Sequence, residues 1–487
     1  MCAYGLDRAL VIEVDEAVDI PRLCEQLETL AAVAWACPDY IGQGGREQVD
    51  DTYYGEQWHH RNVRQANGIF DADIDTDLAW PLVKGSATVI VAVLDSGIDT
   101  DHPEFQGRLL QGYDFVNEDD DPEDDHGHGT RVTGVLAARG QNHFGVAGVD
   151  WYCSILPVKV LDATNLGTTT NLIRGLAWAV DHGAHVINMS LVDYTESEVL
   201  DLALHAARDS GAILVSCAGN QGPGDADVSW PGASEAVISV GYTTPFDRRS
   251  AYSGTGAALD VVAPGVDIAT VLVGSDADGY EVFRGCSAAT PLVSGIASLI
   301  KFLRPSIHHE GVFEILITTS EDQVGSPLDD KPGRDDSYGY GRVNAALAVM
   351  RAAPGLAPFD VGTPGTEGVV PMLSVHSRPT LGNRDFRIAI DEGLGGAAAL
   401  LFIGLGPIAE PLRGSAFLVQ DPVAVLPLTL DGTPGTPANG SATVGPFPLP
   451  ADVSLAGLTV VLQSAVFDPA AEPGFCLSNA LQLTLGS

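Results

Sequence analysis

Four residues carry the chemistry open to this chain: Asp95, His128, Asn220 and Ser287, in that order and far apart. Asp95 closes the apolar run Thr88–Leu94 in VIVAVLDSGIDTDHPEF. A carboxylate at a strand end can orient a histidine and stabilise its positive form. His128, in GHGTRVTGVLAA, is expected to open a helix in which Gly129 and Gly134 permit close packing. Histidine titrates near neutrality and can shuttle a proton. Ser287, in FRGCSAATPLVSGIASLI, lies between a glycine turn and an apolar helix containing Pro291. A helix start exposes a hydroxyl and offers backbone N–H to an oxyanion. Asn220, in SCAGNQGP, follows an apolar strand, and its side-chain N–H can add a second oxyanion donor. Each residue also has an ordinary reading alone. Asp-Ser-Gly ends many strands in a turn, and His126 shows how common a loop histidine is. Serine caps helices and asparagine forms turns.

The elements needed to position these groups are legible from about residue 50 to 352. Short apolar runs, Thr88–Leu94, Val186–Met189, Ile213–Val215 and Val237–Val240, alternate with helical patterns at Thr170–Asp181 and Ser197–Arg208. That alternation predicts a parallel α/β sheet, whose functional groups gather at the carboxyl ends of strands. Residues 1–45 read as a small β-α-β unit: Arg8–Val14 is strand-like, Ile20, Leu23, Leu27 and Leu30 recur at helical spacing, and Val33, Trp35 and Cys37 alternate. The polar segment GQGGREQVDD follows as a linker or processing region. Residues 361–487 contain no lysine and no long helical pattern. Strand candidates Phe386–Ile390, Leu458–Leu462 and Leu481–Leu485, with Gly/Pro breaks, predict an all-β sandwich beyond a hinge at Pro354–Pro364.

Taken together, the Asp, His, Asn and Ser motifs and YGYGRVNAALAV resemble the subtilisin family, the subtilases, over about residues 50–352. DTYYGEQW and DFVNEDDDP resemble its thermitase-like branch. The resemblance implies a parallel sheet flanked by helices and a serine endopeptidase with Asp95, His128 and Ser287 as triad. Asn220 and the Ser287 N–H would form the oxyanion hole. It also implies that a protein or peptide substrate adds as an extended strand beside Asn165, Leu166, Gly167 and Ser190, Leu191, Val192, with Ala218 and Gly219 lining the cleft. Four residues depart from the family pattern: Cys286 stands where it has Thr, Arg131 where it has a second His, Cys217 where it has a small residue, and Val192 where it has Gly. Val192 is expected to narrow the primary specificity pocket, and Cys286 to confer sensitivity to thiol reagents.

Asp114–Asp125 holds eight acids in twelve residues and no base. Such a run is ordinarily a solvated face. Asp114, Asn117, Asp119, Asp121 and Glu123 recur at short intervals, and hard oxygen ligands so spaced suit Ca²⁺. The resemblance supports that loop and implies a second site built from Asp51, Glu104, Asn142 and backbone carbonyls near Arg139, Phe144 and Val146. Ca²⁺ would be structural in both. By the same resemblance, residues 1–45 are an inhibitory propeptide that acts on its own enzyme.

The 487 residues include 64 acids against 25 Lys plus Arg, a formal charge of −39. That surface repels phosphate backbones and excludes nucleic-acid binding as a function class. It also attracts cations. No stretch of about 18 uninterrupted apolar residues predicts a membrane span; Gly395–Ala409 reads as one buried strand. Seven cysteines without a CxxC pair read as buried thiols. MCAYGLDRAL lacks the form of a signal peptide, so an extracellular location, favoured by the C-terminal appendage, stands beside an intracellular one. A monomer is expected. An α/β-hydrolase esterase needs a G-x-S-x-G elbow and Ser…Asp…His order. Gly285-Cys286-Ser287-Ala288-Ala289 breaks the elbow, and the order Asp95…His128…Ser287 is wrong for that fold. The remaining alternative is an inactive, protease-like binding or adhesion protein.

Overall fold

The computed structural model describes residues 49–487, apart from 222–226, 275–279, 361, 413–414, 421, 473 and 487. The chain divides into Met1–Gly45 and Arg46–Ser487. The first unit, with the strand, helix and propeptide readings made for it, lies outside the described residues.

In chain order the catalytic part contains α1 (Thr76–Ala79), β1 (Ile90–Asp95), β2 (Tyr113–Asp114), α2 (His128–Ala137), β3 (Ser154–Lys159), α3 (Thr169–Asp181), β4 (Val186–Met189), α4 (Glu198–Asp209), β5 (Ile213–Cys217), β6 (Ile238–Thr243), β7 (Val261–Pro264), β8 (Ile268–Val271), β9 (Tyr280–Phe283), α5 (Cys286–Leu303), α6 (His309–Thr319) and α7 (Ala345–Ala352). Strands β1–β7 form one parallel sheet in the order β2-β3-β1-β4-β5-β6-β7. The chain moves outward from β1 to one side, then returns to fill the other. The reversal beside β1 opens a crevice at its carboxyl end, where Asp95 sits.

Both faces of this sheet are covered, which explains its continuous apolar strands. On one face Val91, Val93, Val186, Val215 and Ile238 pack with Val132, Val135, Leu292, Val293 and Ile296 from α2 and α5. On the other, Ala92, Leu94, Ile187 and Leu214 pack with Leu172, Leu176, Leu200 and Leu204 from α3 and α4. Thr168 and Ser197 cap α3 and α4 by accepting from the Asn171 and Leu200 N–H groups, as short polar side chains do at helix starts. Helix α5 is buried from Cys286 to Lys301, which explains why its residues there are mostly apolar, while Ser294 and Ser298 are hydrogen-bonded to Asn188 and Asp150. Its 18 residues are long and apolar enough to cross a membrane, but they pack against α2 and β4–β7.

The C-terminal part holds β10 (Leu356–Phe359), β11 (Met372–Val375), β12 (Phe386–Gly393), β13 (Ala398–Gly404), β14 (Pro407–Leu412), β15 (Ser415–Val419), β16 (Ala424–Thr429), β17 (Gly440–Phe447), β18 (Thr459–Phe467), β19 (Phe475–Leu477) and β20 (Ala480–Thr484). One sheet runs β10-β20-β18-β13-β16, with β19 on β18, and a second runs β11-β12-β17. Their pairings are antiparallel. Leu373 and Ile390 of one sheet share a core with Leu401, Leu462 and Leu481 of the other, so the two form a sandwich.

Two expectations change here. The Pro354–Pro364 segment is not simply a hinge: its middle is β10, which pairs with β20. Pro358 misleads because it lacks an N–H, yet β10 is an edge strand, where proline is tolerated. The same core takes in Leu78 of α1 and Ala346, Leu347 and Met350 of α7, so the sandwich packs on the catalytic part. Gly395–Ala409 is not one strand either. The turn at Leu405–Gly406 divides it between β13 and β14. Among the described cysteines, Cys153, Cys217, Cys286 and Cys476 are free and buried, as read from the sequence.

Candidate active site

Asp95 is fully buried at the end of β1. Its Oδ1 accepts from His128 Nδ1 at 2.6 Å and from the Ser96 N–H at 2.7 Å. An ionised carboxylate only accepts hydrogen bonds, so Nδ1 carries the imidazole proton and Nε2 keeps its lone pair. Burial lowers the His128 pKa, but the charge and hydrogen bond of Asp95 outweigh it and leave the pKa above the usual histidine value. The Phe283 ring stands edge-on to the imidazole, with centroids 5.4 Å apart.

His128 is the first residue of α2, and the turn before it is organised by a side chain the sequence reading passed over. Asp124 Oδ1 accepts from Ser96 Oγ, the His126 N–H and the Gly127 N–H; Oδ2 accepts from Thr130 N–H and Oγ1. Burial alone would raise its pKa, but these donors hold it below the carboxylate norm. Ser96 Oγ in turn accepts from the Gly129 N–H at 3.0 Å, so β1 and α2 are tied through one serine. A Cβ on Gly129 would lie 2.1 Å from the Gly97 carbonyl oxygen, so only glycine allows this approach. Lys159, 1% exposed at the end of β3, donates to the Ser96 and Leu161 carbonyls and to Asp125 Oδ1. An acid run hides Asp124. Lys159 had a signal, because a lysine inside an apolar strand is unusual unless paired.

Ser287 is the second residue of α5; Gly285, not Ser287, is the N-cap. Gly285 has φ of 107°, and a Cβ there would lie 2.9 Å from Asn220 Oδ1. That oxygen accepts from the Cys286 N–H at 2.9 Å, which turns the donor end, Nδ2, away from Cys286. Pro291 has no N–H to return to the Ser287 carbonyl one turn back. Ser190 Oγ supplies the missing donor at 3.2 Å, and Ser287 Oγ donates to the Ser190 carbonyl at 3.3 Å. The helix-breaking residue thus locks the start of α5 to the end of β4. Cys217 Sγ lies 3.8 Å from Ser287 Oγ and accepts from Thr290 Oγ1 at 3.3 Å. Burial raises the Cys217 pKa, but contacts with Cys286, Thr290 and Ser287 outweigh it and lower the pKa overall. Burial, then Cys217, pushes the Cys286 thiol up.

Asp95, Ser190 and Asn220 follow or end the central strands β1, β4 and β5 at the carboxyl end of the sheet, and their contacts bring His128 and Ser287 to that end. Ala218 and Gly219 connect β5 to Asn220, and Ala218 is fixed by bonds to Val240 and Ser229. Leu191 is buried, and Val192 packs on the core beside it. Asn165, Leu166 and Gly167 form a turn beyond β3, with Asn165 at φ of 63° and Leu166 exposed. The Asp162 N–H donates to the Leu166 carbonyl there, and among the described residues no hydrogen bond joins this turn to Ser287. Arg131 pairs with Glu281 of β9 at 2.9 Å, so this departure ties α2 to the β8–β9 hairpin.

The two acid groups behave differently. Asp114 is buried, and its oxygens accept from the Val116 and Asn117 N–H groups and from Asn117 Nδ2. Asp119 accepts from the Asp121 N–H, and Glu123 binds Thr100. Asn117, Asp119, Asp121 and Glu123 are exposed. The second group comes from three separate segments. Glu104 Oε2 accepts from Asn142 Nδ2 and the Arg139 N–H, and Asp51 Oδ2 from the Gln141 N–H. Among the described residues, Asp51 Oδ1 and Glu104 Oε1 have no hydrogen-bond partner and are buried. Burial raises Asp51 to about 6, and burial, with the Asp51 charge adding to it, raises Glu104 to about 8.

Residues 86–341 match the family model for Peptidase_S8, the subtilase family. The chain is 33% identical over 331 residues to the thermophilic serine proteinase of Bacillus sp. (strain AK1), covering 68% of this chain and 76% of that protein. It is 34% identical over 277 residues to thermitase of Thermoactinomyces vulgaris, covering 57% of this chain and 94% of that protein. A solved structure of proteases from Pseudoalteromonas arctica PAMC 21717 superposes with a TM-score of 0.55 at 28% identity, over 63% of this chain and 99% of that one. The chain belongs to the subtilase family, in its thermitase-like branch. It is a subtilisin-like serine peptidase.

Proposed function

We propose that the chain is a serine endopeptidase that cleaves proteins or peptides through an acyl-enzyme, with Asp95, His128 and Ser287 as its triad. The 2.6 Å bond from His128 Nδ1 to the buried Asp95 carries this reading, because it leaves Nε2 free to act as base. Ser287 turns from its bond with the Ser190 carbonyl toward Nε2 and attacks the peptide carbonyl carbon, while His128 takes its proton. Asn220 Nδ2 and the Ser287 N–H stabilise the oxyanion. His128 then protonates the leaving amine, and water repeats the cycle to release the acyl half. Asp95 holds the tautomer and stabilises the imidazolium throughout.

The substrate is an extended strand between the Asn165–Gly167 and Ser190–Val192 segments, over Ala218 and Gly219. Residues 50–352 act as the catalytic domain, 361–487 as an accessory sandwich, and 1–45 as an intramolecular inhibitor. The enzyme works outside the cell as a monomer. Asp51, Glu104 and Asn142 are the better-supported calcium ligands: two buried, unpartnered carboxylate oxygens from separate segments suit a hard cation. For Asp114, Asn117, Asp119, Asp121 and Glu123 the support is their spacing. A bound ion stabilises the fold and takes no part in the chemistry. Chelator dialysis should therefore lower Tm; an unchanged Tm counts against both sites.

Casein hydrolysis by the wild type and by Ser287→Ala, with the mass of the mature N-terminus, tests the whole reading. Wild-type cleavage abolished in the variant is the expected result. A chain that neither cleaves casein nor labels at Ser287 with a fluorophosphonate is instead a protease-like binding protein.

A further inference from the structure

Away from Ser287, three carboxylates converge where the catalytic part meets the sandwich. Asp71 and Asp75 lie in the turn before α1, and Glu392 lies near the end of β12. One oxygen from each lies within 4.8 Å of the others. Asp75 and Glu392 are buried, while Asp71 is half-buried and gives a route to solvent. All three line a cavity of about 580 Å³, together with Asp247, Glu321 and Arg342.

The fixed donors around this cavity leave an oxygen open on two of its acids, Asp75 and Asp247. Among the described residues Arg342 is the one basic residue lining it, and it is engaged with Asp247 and Glu321. Asn344 Nδ2 donates to Asp75 Oδ2 and Glu321 Oε1, both at 2.5 Å. Among the described residues, Asp75 Oδ1 and Asp247 Oδ1 have no hydrogen-bond partner and are buried. Asp75 is only 2% exposed, so its free oxygen lies in the wall of the cavity and not on the outer surface. A buried carboxylate oxygen without a donor is costly, and three carboxylates within reach of one point repel one another.

We propose that Asp71, Asp75 and Glu392 bind a hard divalent cation, Ca²⁺, that fastens the turn before α1 to β12. The donors are all oxygen, which disfavours metals that prefer nitrogen or sulfur. Ca²⁺ takes more oxygen ligands than three carboxylates need supply and tolerates irregular geometry, and the cavity has room for the waters that complete its shell. The site is separate from the acids at Asp51 and Glu104 and from the Asp114–Glu123 loop. It contains no residue of the proposed triad. Its consequence is that sandwich and catalytic part are joined by an ion as well as by an apolar core.

Calorimetric titration of Ca²⁺ into chelator-stripped full chain tests this, with Ser287→Ala as the parent to suppress self-digestion. Glu392→Gln and Asp71→Asn should each bind one calcium fewer than the parent, or bind it at least about tenfold more weakly. Each should also show a smaller calcium-induced rise in Tm. Asp71 is half-buried, so its variant keeps the test open if the Glu392 variant fails to fold. Unchanged stoichiometry and affinity in a folded variant overturns the proposal. So does an equal gain in Tm with and without calcium, which marks the cluster as carboxylic acids sharing protons.

Discussion

The catalytic part and the sandwich both bury polar side chains, but they use them differently. In the sandwich, Gln463 Oε1 accepts from the Leu418 N–H, Asn479 Oδ1 from the Leu373 N–H, and Ser478 Oγ from the Ser464 N–H. Each closes a backbone position that the antiparallel ladders leave open, and the result is structural. At the carboxyl end of the parallel sheet, His128 and Asn220 are bonded on one side only among the described residues. His128 is held through Nδ1 and Asn220 through Oδ1, so Nε2 and Nδ2 remain for a substrate. A polar group fixed at one end and open at the other has a defined orientation and unused bonding capacity, which is what chemistry requires.

Substitutions in the two regions should therefore separate activity from stability. The largest effect is expected from Ser287→Ala, which should lower kcat by about 10⁶ with little change in Tm. Residual hydrolysis within tenfold of wild type would remove Ser287 from the mechanism. Asp95→Asn should lower kcat by about 10⁴ by allowing the wrong tautomer. It also predicts a pH shift of definite sign. The base form of His128 is neutral, so wild-type activity should rise with pH through a midpoint above the histidine norm, because Asp95 holds that pKa up. Removing the Asp95 charge should move the midpoint down. A midpoint that stays in place means another group titrates.

Asn220→Ala should cost about 10²–10³ in kcat, with KM little changed. In contrast, Leu481→Ala removes a fully buried side chain from the sandwich core. It should cost about 2–5 kcal/mol of stability in denaturant unfolding, while the folded variant keeps its kcat. Loss of kcat in that folded variant would break the division between the regions. The smallest expected effect is at Val192→Gly, where a wider pocket should shift kcat/KM toward larger side chains by roughly tenfold. An unaltered cleavage preference on a peptide library counts against Val192 as a specificity residue.

Local pattern accounts for much of the agreement between sequence and structure. Val186–Met189 is a strand with the bounds read from its apolar run, and the α3 and α4 patterns end within a residue of the helices. These elements are set by periodicity and capping, which neighbouring residues carry. Pro358 misleads because a local breaker signal does not say whether a strand lies at an edge with a partner waiting, whereas at Gly406 a continuous apolar run conceals a real break. The acids show the same division. The dense run Asp114–Asp125 caught attention, yet Asp71, Asp75 and Glu392 meet only because β12 folds back on the turn before α1.

For the four residues at the carboxyl end of the sheet, the sequence by itself determined their types, their order and the strand or helix that each one lies beside. Those properties follow from side-chain chemistry and short-range backbone preference, which act within a few residues. Only the tertiary structure decided how they are held. It gave Asp124 five donors around the His128 turn, made Lys159 a tie between strand ends, and let Ser190 replace the hydrogen bond that Pro291 cannot make. Such contacts join segments distant in sequence, and a hydrogen bond depends on ångström distance in space rather than on position along the chain.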